Sequence, residues 1–259
     1  MKTKYKIIVA TFLIGLFIVI ILFIFFKDNK THILKRYYPE SKEIYESEYI
    51  IRNEDTVFQG KTIIYSSKGI KIAECNFIND TLNGKYISYY DTGKIKYMKY
   101  MLNDKRKAEI LWNYPNGQTE KYALFSTFKE PIFIINFDNK GPIYYEGHVL
   151  ENIYFGKFNT KKKSNSCENK CYKVGDTLIH QYLVANIPDA KRSFKIESSD
   201  INNLKIKRTI TQKLPTTIEV KEVLTTKGKN TIKAVVKYEF MDNIMPPIIN
   251  TLSFDINVN

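Results

Sequence analysis

The chain contains three imidazoles, His32, His148 and His180. General acid–base catalysis or a metal centre would need one of them beside a partner: a carboxylate, a nucleophile, or further ligands at a fixed spacing. None stands in such a spacing. No nucleophile motif accompanies them, and no Gly-rich loop opens a helix to receive a phosphate. Glu219 and Glu222 lie three positions apart, which puts them on opposite faces of a strand and reads as solvated charge. Cys167 and Cys171 could close a small disulfide loop outside the cytoplasm, remain thiols, or form half of a metal site, for which His180 is the only nearby imidazole. Cys75 alternates with Ala73 and Phe77, the pattern of a small buried hydrophobe. The expectation is a non-catalytic protein without metal or cofactor.

What would position such residues begins with a segment that is not part of a globular fold. Residues 7–26, "IIVATFLIGLFIVIILFIFF", carry no charge. As a helix they would span ~30 Å, the thickness of a bilayer's hydrocarbon core. Lys2, Lys4 and Lys6 in the tail 1–6 would suit a secretory signal, but no small-x-small cleavage site follows and no Cys invites lipidation. The expectation is therefore an uncleaved transmembrane anchor followed by a juxtamembrane linker, 27–36. Basic residues flank both ends, so the positive-inside rule is nearly balanced. With no second span and cysteines suited to an oxidising compartment, the bulk is placed outside the cytoplasm, on the periplasmic side of an inner membrane.

The formal net charge is +13. Its excess is densest in the N-terminal tail and in residues 159–173, "NTKKKSNSCENKCYK", where Lys161, Lys162 and Lys163 lie. A nucleic-acid binder would carry that charge as a stripe on a folded face, so nucleic acid is not expected as a partner. A basic linker near a membrane can meet anionic lipid, or simply be solvated.

Gly69, Gly93, Gly117 and Gly141 recur every 24 residues, ending "GKTIIYSSKG", "GKYISYYDTG", "AEILWNYPNG" and "IFIINFDNKG". Two strands of about eight residues and two turns fill such a unit. Ile63, Ile87, Leu111 and Ile135 align in one column, and Phe77, Met101, Phe125 and Val149 in another. Each Gly falls where a short turn requires positive φ. "YYPESKEI", residues 37–44, reads as a decayed first copy with Ser41 in place of Gly, as a capping unit permits.

"GKYISYYDTGKIKY" and "WNYPNGQTEKY" resemble the bacterial MORN-repeat-variant family over residues 37–158. The resemblance implies a row of β-hairpins, a scaffolding role or phospholipid contact, and in some bacterial relatives an antitoxin label; it brings no catalytic residues. The leading Gly of the unit is lost at Ala108 and Ile132, so regularity is expected to decay toward the last copy. Tyr65, Tyr89 and Phe137 share a column that could pack across strands or stack on sugar rings or a partner. Trp112, the only Trp, falls in no apolar column and is a candidate exposed anchor, with half-buried packing as the alternative.

The polar stretch 159–173 marks a domain boundary. Beyond it, residues 174–259 lose the 24-residue period and hold six candidate strands separated by Pro- and Gly-containing turns, a layout resembling an immunoglobulin-like β-sandwich. The whole is expected to be an all-β ectodomain of stacked hairpin repeats plus a sandwich, on one N-terminal transmembrane helix. Two roles fit it: a scaffold that presents these surfaces to another envelope protein, or a module whose Tyr89, Trp112 and Lys161–Lys163 meet anionic lipid or glycan. An antitoxin role would require cytoplasmic exposure.

Overall fold

The computed structural model describes residues 14–19, 30–103, 106–126, 130–157, 172–198, 207–241 and 245–259. Among these, no helix is long and apolar enough to cross a membrane. Residues 14–19 are helical, with Ile14, Leu16, Phe17, Ile18 and Val19 exposed; the remainder of the 7–26 segment lies outside the described residues, as do Lys161, Lys162, Lys163, Cys167 and Cys171. The rest is β-structure in two compact units, Met1–Ile95 with Met101–Lys105, and Lys96–Tyr100 with Arg106–Asn259.

The first unit is a meander of β1 (His32–Tyr38), β2 (Glu43–Arg52), β3 (Asp55–Ser66), β4 (Lys71–Ile78), the two-residue β5 (Thr81–Leu82) and β6 (Gly84–Tyr89), with β4 pairing both β5 and β6. Strand β7 (Ile95–Asn103) is divided between the units. The second unit opens with the meander β8 (Arg106–Asn113), β9 (Thr119–Phe125), β10 (Pro131–Asp138) and β11 (Gly141–Gly147). It continues with β12 (Leu150–Lys157), β13 (Thr177–Val184), β14 (Ala190–Ser198), β15 (Arg208–Leu214), β16 (Thr217–Val223), β17 (Gly228–Phe240) and β18 (Ile248–Val258). These form a four-stranded sheet in the order β12-β13-β16-β15 and a three-stranded sheet in the order β14-β17-β18.

The 24-residue spacing becomes a repeated turn. Ser66, Tyr90 and Tyr114 each donate their N–H to the carbonyl four residues on, at Ile70, Lys94 and Gln118, and each accepts from the N–H of Gly69, Gly93 or Gly117. Those glycines have φ of 75°, 81° and 94°, so each closes a three-residue loop whose last position is left-handed. The bulge behind the turn repeats too: Ile64 pairs Ala73 while Tyr65 pairs Lys71, and Trp112 pairs Lys121 while Asn113 pairs Thr119. The fourth copy departs. Asp138 pairs Gly141 directly, Gly141 has φ 128°, and Pro142 stands where Ile70, Lys94 and Gln118 stand. In the hairpin between β1 and β2, positive φ falls on Lys42 rather than on Ser41.

Burial separates copies that the sequence aligns. Ile63 and Ile87 are half-buried, whereas Ile135, in the same column, is fully enclosed. The difference lies in what covers the sheet. Tyr122, Leu124, Phe133, Ile135 and Phe137, from β9 and β10, share one core with residues of β12 to β18 such as Leu178, Tyr182, Val220, Val236 and Ile256. Strand β17 has the expected period of two, with Ile232, Ala234, Val236 and Tyr238 all buried.

The two compact units divide around residues 96–106; of the stretch 159–173, only Tyr172 and Lys173 are among the described residues. Strand β12, which lies within the repeat region by sequence, pairs with β13. Tyr172, inside that polar stretch, is buried and bridges Val258 in parallel. Its ring packs against Phe155 at 5.9 Å.

Candidate functional site

Two features of the second unit concentrate polar chemistry, and both arise from how its two sheets meet. At one margin, β14 and β15 are the terminal strands, and arginines tie the sheets together. Arg192 donates to the Ala185 carbonyl and, at 2.9 Å, to Gln212 Oε1; Arg208 donates through Nη1 to the Ile196 carbonyl at 3.1 Å. Through Nε, Arg208 also reaches Glu222 Oε2 at 2.7 Å.

Glu222 is buried on the inward row of β16, beside fully enclosed His180 and Tyr182 of β13. His180 Nδ1 shares a 2.7 Å hydrogen bond with the Tyr182 hydroxyl. His180 Nε2 lies 3.6 Å from Glu222 Oε1, an electrostatic contact too long to be a hydrogen bond. Burial alone would raise the Glu222 carboxyl, but His180 and Arg208 outweigh it and hold the group below its ordinary value. Burial, with the Glu222 charge adding to it, pushes the Tyr182 phenol well up. Glu219, on the other face of β16, is also largely enclosed, and its carboxylate accepts from Gln181 at 2.8 Å with Lys213 and Lys221 nearby. The expectation of solvated charge at Glu219 and Glu222 is thus corrected. Strand alternation assigned their faces properly, but it carries no record of the partners that let a carboxylate be buried.

At the other margin the terminal strands are β12 and β18, and the sheets part into a cleft of ≈ 650 Å³. Its lining takes in the consecutive residues 250–255 of β18 and Leu150, Glu151 and Asn152 of β12, with Phe155 and Ile132. Consecutive residues of a strand point to alternate faces, so a wall built from all six is the strand's edge, not one of its faces. Along β18, Ile248, Ile256 and Val258 are buried, while Leu252 and Phe254 between them are half-covered. Phe155 meets Phe254 edge-on at 4.8 Å on the cleft wall. Glu151 Oε2 is shielded from solvent without a hydrogen-bond partner.

The residues singled out in the sequence lie elsewhere. Trp112 is half-buried: it packs on a small cluster of Ile110, Ala123 and Phe125, with Lys121 Nζ 5.4 Å from its ring. Tyr89 donates to Glu74 Oε1 at 2.7 Å, and Lys71 Nζ stands 4.5 Å from its ring centroid. Lys61 and Lys71 approach Glu74 at 2.7 and 2.8 Å and hold its carboxyl at about 2. The polar tip of Tyr89 is therefore committed within the sheet. Because the Glu74 value is depressed, its contribution is present above the ordinary carboxylate range and is lost as pH falls toward about 2. Solvent screening holds it to roughly 1 kcal/mol at most. Glu74→Gln should lower the urea midpoint measured by circular dichroism at pH 7, with the gap from wild type closing as pH is brought down to the value where Glu74 protonates.

His148 lines the cleft, while His180 belongs to the buried network and His32 stacks on Tyr49 at 5.3 Å. Among the described residues no group of His, Cys, Asp or Glu could hold a metal ion. The cleft has no signature in the linear sequence, because it is made where two strands distant in the chain each end a sheet among the described residues. No family model matches the sequence, and no curated protein matches it.

Proposed function

We propose that this chain is a non-catalytic interaction protein: MORN-like hairpin repeats and an immunoglobulin-like two-sheet module, tethered by residues 7–26 with the bulk on the periplasmic side, that engage another envelope protein. The observation that carries this reading is the cleft between β12 and β18, an apolar opening bordered, among the described residues, by unpaired strand edges and one unengaged carboxylate oxygen. Such a site recognises shape and main-chain groups. The repeats add support, since three hairpins are closed by the same hydrogen bonds.

Contact with anionic lipid or glycan is the second reading, favoured by the net charge of +13 and by the ordered Lys71–Tyr89 pair on the sheet face. An antitoxin role, the third, needs the chain in the cytoplasm. Two experiments separate them. Protease added outside the inner membrane should cut within residues 174–259; full protection would place the chain in the cytoplasm. Crosslinking of the tethered chain should then recover one stoichiometric protein partner, with retention that survives raised salt because apolar contacts are not screened. Recovery of no protein, together with saturable vesicle binding that collapses with salt, would replace the scaffold by the lipid reading.

A further inference from the structure

We propose that the cleft at the β12/β18 margin takes up an extended peptide segment of a partner protein, which adds as a strand beside β18 and places a Lys or Arg side chain against Glu151. The inference rests on the interaction reading above and specifies its mode.

The two margins of the same pair of sheets are unequal. The β14/β15 margin is closed by Arg192 and Arg208, each hydrogen-bonding across from one sheet to the other. No such tie spans the cleft at the β12/β18 margin among the described residues. There β18 is hydrogen-bonded to β17 along its length, and among the described residues its other edge is bridged only at Val258, by Tyr172, with Asn259 N–H donating to the Tyr172 carbonyl. Among the described residues, main-chain donors and acceptors over residues 250–255 therefore face the cleft without a strand partner. Six residues at ~3.3 Å each offer ~20 Å of edge, enough for a short added strand. An open edge flanked by apolar side chains is the feature that other proteins cover, charge or break with proline to prevent pairing. Residues 250–255, "NTLSFD", contain no Lys, Arg or Pro.

Side chains define the occupant's chemistry. Leu252 and Phe254 of β18 and Leu150 and Phe155 of β12 line the opening, and call for apolar groups at alternate positions of the guest. Asp255 is already engaged by Lys229 at 2.9 Å and by the Thr231 hydroxyl. Glu151 Oε2 is not engaged, and a carboxylate oxygen enclosed without a donor favours a cationic side chain from the guest. An apolar small molecule would leave both the strand edge and this oxygen unsatisfied.

The test titrates the full chain with a fluorescent synthetic peptide about ten residues long, alternating Val with Thr and carrying a central Lys. Controls are the same peptide N-methylated at alternate amides and one with norleucine for Lys. Saturable binding is expected, weakened at least ~tenfold by N-methylation, because main-chain hydrogen bonds supply affinity in strand addition. Glu151→Gln should weaken the Lys peptide about tenfold and leave the norleucine peptide unchanged. Leu252→Trp, which fills the opening from a half-buried position, should abolish binding of all of them with an unaltered circular dichroism spectrum. Equal binding of the N-methylated peptide would overturn the proposal in favour of a simple apolar pocket, and no saturable binding of any peptide would overturn it outright. A wild-type dimer that Leu252→Trp dissociates would assign the cleft to a second copy and overturn it as well. In the crosslinking experiment, a protein partner recovered equally by wild type and Leu252→Trp sinks the cleft assignment while sparing the interaction reading; no partner with wild type sinks the reading itself.

Discussion

Gly147→Ala should cost the second unit about 3 kcal/mol or more, whereas Gly93→Ala should cost the first about 1 kcal/mol. Both glycines sit at positive φ, 87° for Gly147 and 81° for Gly93. The difference is in what surrounds them. A Cβ at Gly93 would meet nothing within 4 Å, so only the left-handed backbone is penalised. A Cβ at Gly147 would press on the Ile132 carbonyl oxygen and lie 2.8 Å from its carbon and 3.1 Å from Phe133 Cα. Backbone cannot rotate away as a side chain can. Next to it, His148 N–H donates to the same Ile132 carbonyl at 2.7 Å, and from there the chain passes from β11 into β12. Gly147 thus fixes the point at which the repeat meander hands over to the sheet that borders the cleft. Fluorescence of Trp112, the only Trp and a residue of the second unit, reports that unit's unfolding in urea, and circular dichroism, to which the first unit's strands contribute, reports the other. Equal midpoint shifts for Gly147→Ala and Gly93→Ala would refute the close-approach argument.

Arg208→Met should cost about 3–5 kcal/mol at neutral pH, the range for stripping a buried carboxylate of its cation. Glu222 is 3% exposed at its side chain and Arg208 16%, so water cannot take the place of the guanidinium. The pH dependence has a defined sign. In the wild type the depressed Glu222 contributes stability that is present above the ordinary carboxylate range and is lost as pH falls through its folded value. In Arg208→Met the desolvation that already pushes the carboxyl up faces only His180, and Glu222 takes a proton on folding at higher pH than before. The stability gap between the two proteins should therefore be widest near neutrality and narrow as the medium is acidified. Replacing both partners, Arg208→Met with Glu222→Leu, should recover most of the loss, because the cost comes from the orphaned charge rather than from the missing pair. A pH-independent gap, or a double variant as unstable as the single one, would show that Arg208 acts through its packing and its bond to the Ile196 carbonyl instead.

These two residues mark opposite ends of what is legible in a linear sequence. The glycine period predicted where the hairpins turn, and the structure has Gly69, Gly93, Gly117 and Gly141 all at positive φ. Turn chemistry is local: three or four residues decide it, and they are adjacent in the chain. Strand alternation likewise placed the six C-terminal strands and put Glu219 and Glu222 on opposite faces of β16. Gly147 falls outside the 24-residue register, and nothing beside it in sequence shows that the Ile132 carbonyl will lie against it. Arg208 and Glu222 are neighbours only because β15 and β16 pair.

The chain by itself determined an all-β fold, the period of its hairpins, the turn glycines and the alternating faces of its strands, because each depends on short-range sterics and a period of two. Tertiary structure alone decided which aligned positions are dry. Glu74 and Tyr122 occupy the same place in the repeat, 48 residues apart. Glu74 faces Lys61, Lys71 and water, whereas Tyr122 is buried beneath the second unit's other sheets, its hydroxyl donating to Glu109 and accepting from Asn186 N–H. A repeat sets which side of the sheet a residue points to; only the layer laid over that side sets whether it meets solvent or a core. The same holds for the cleft, which exists because β12 and β18, nearly a hundred residues apart, end their sheets on the same margin and, among the described residues, no third strand closes the gap.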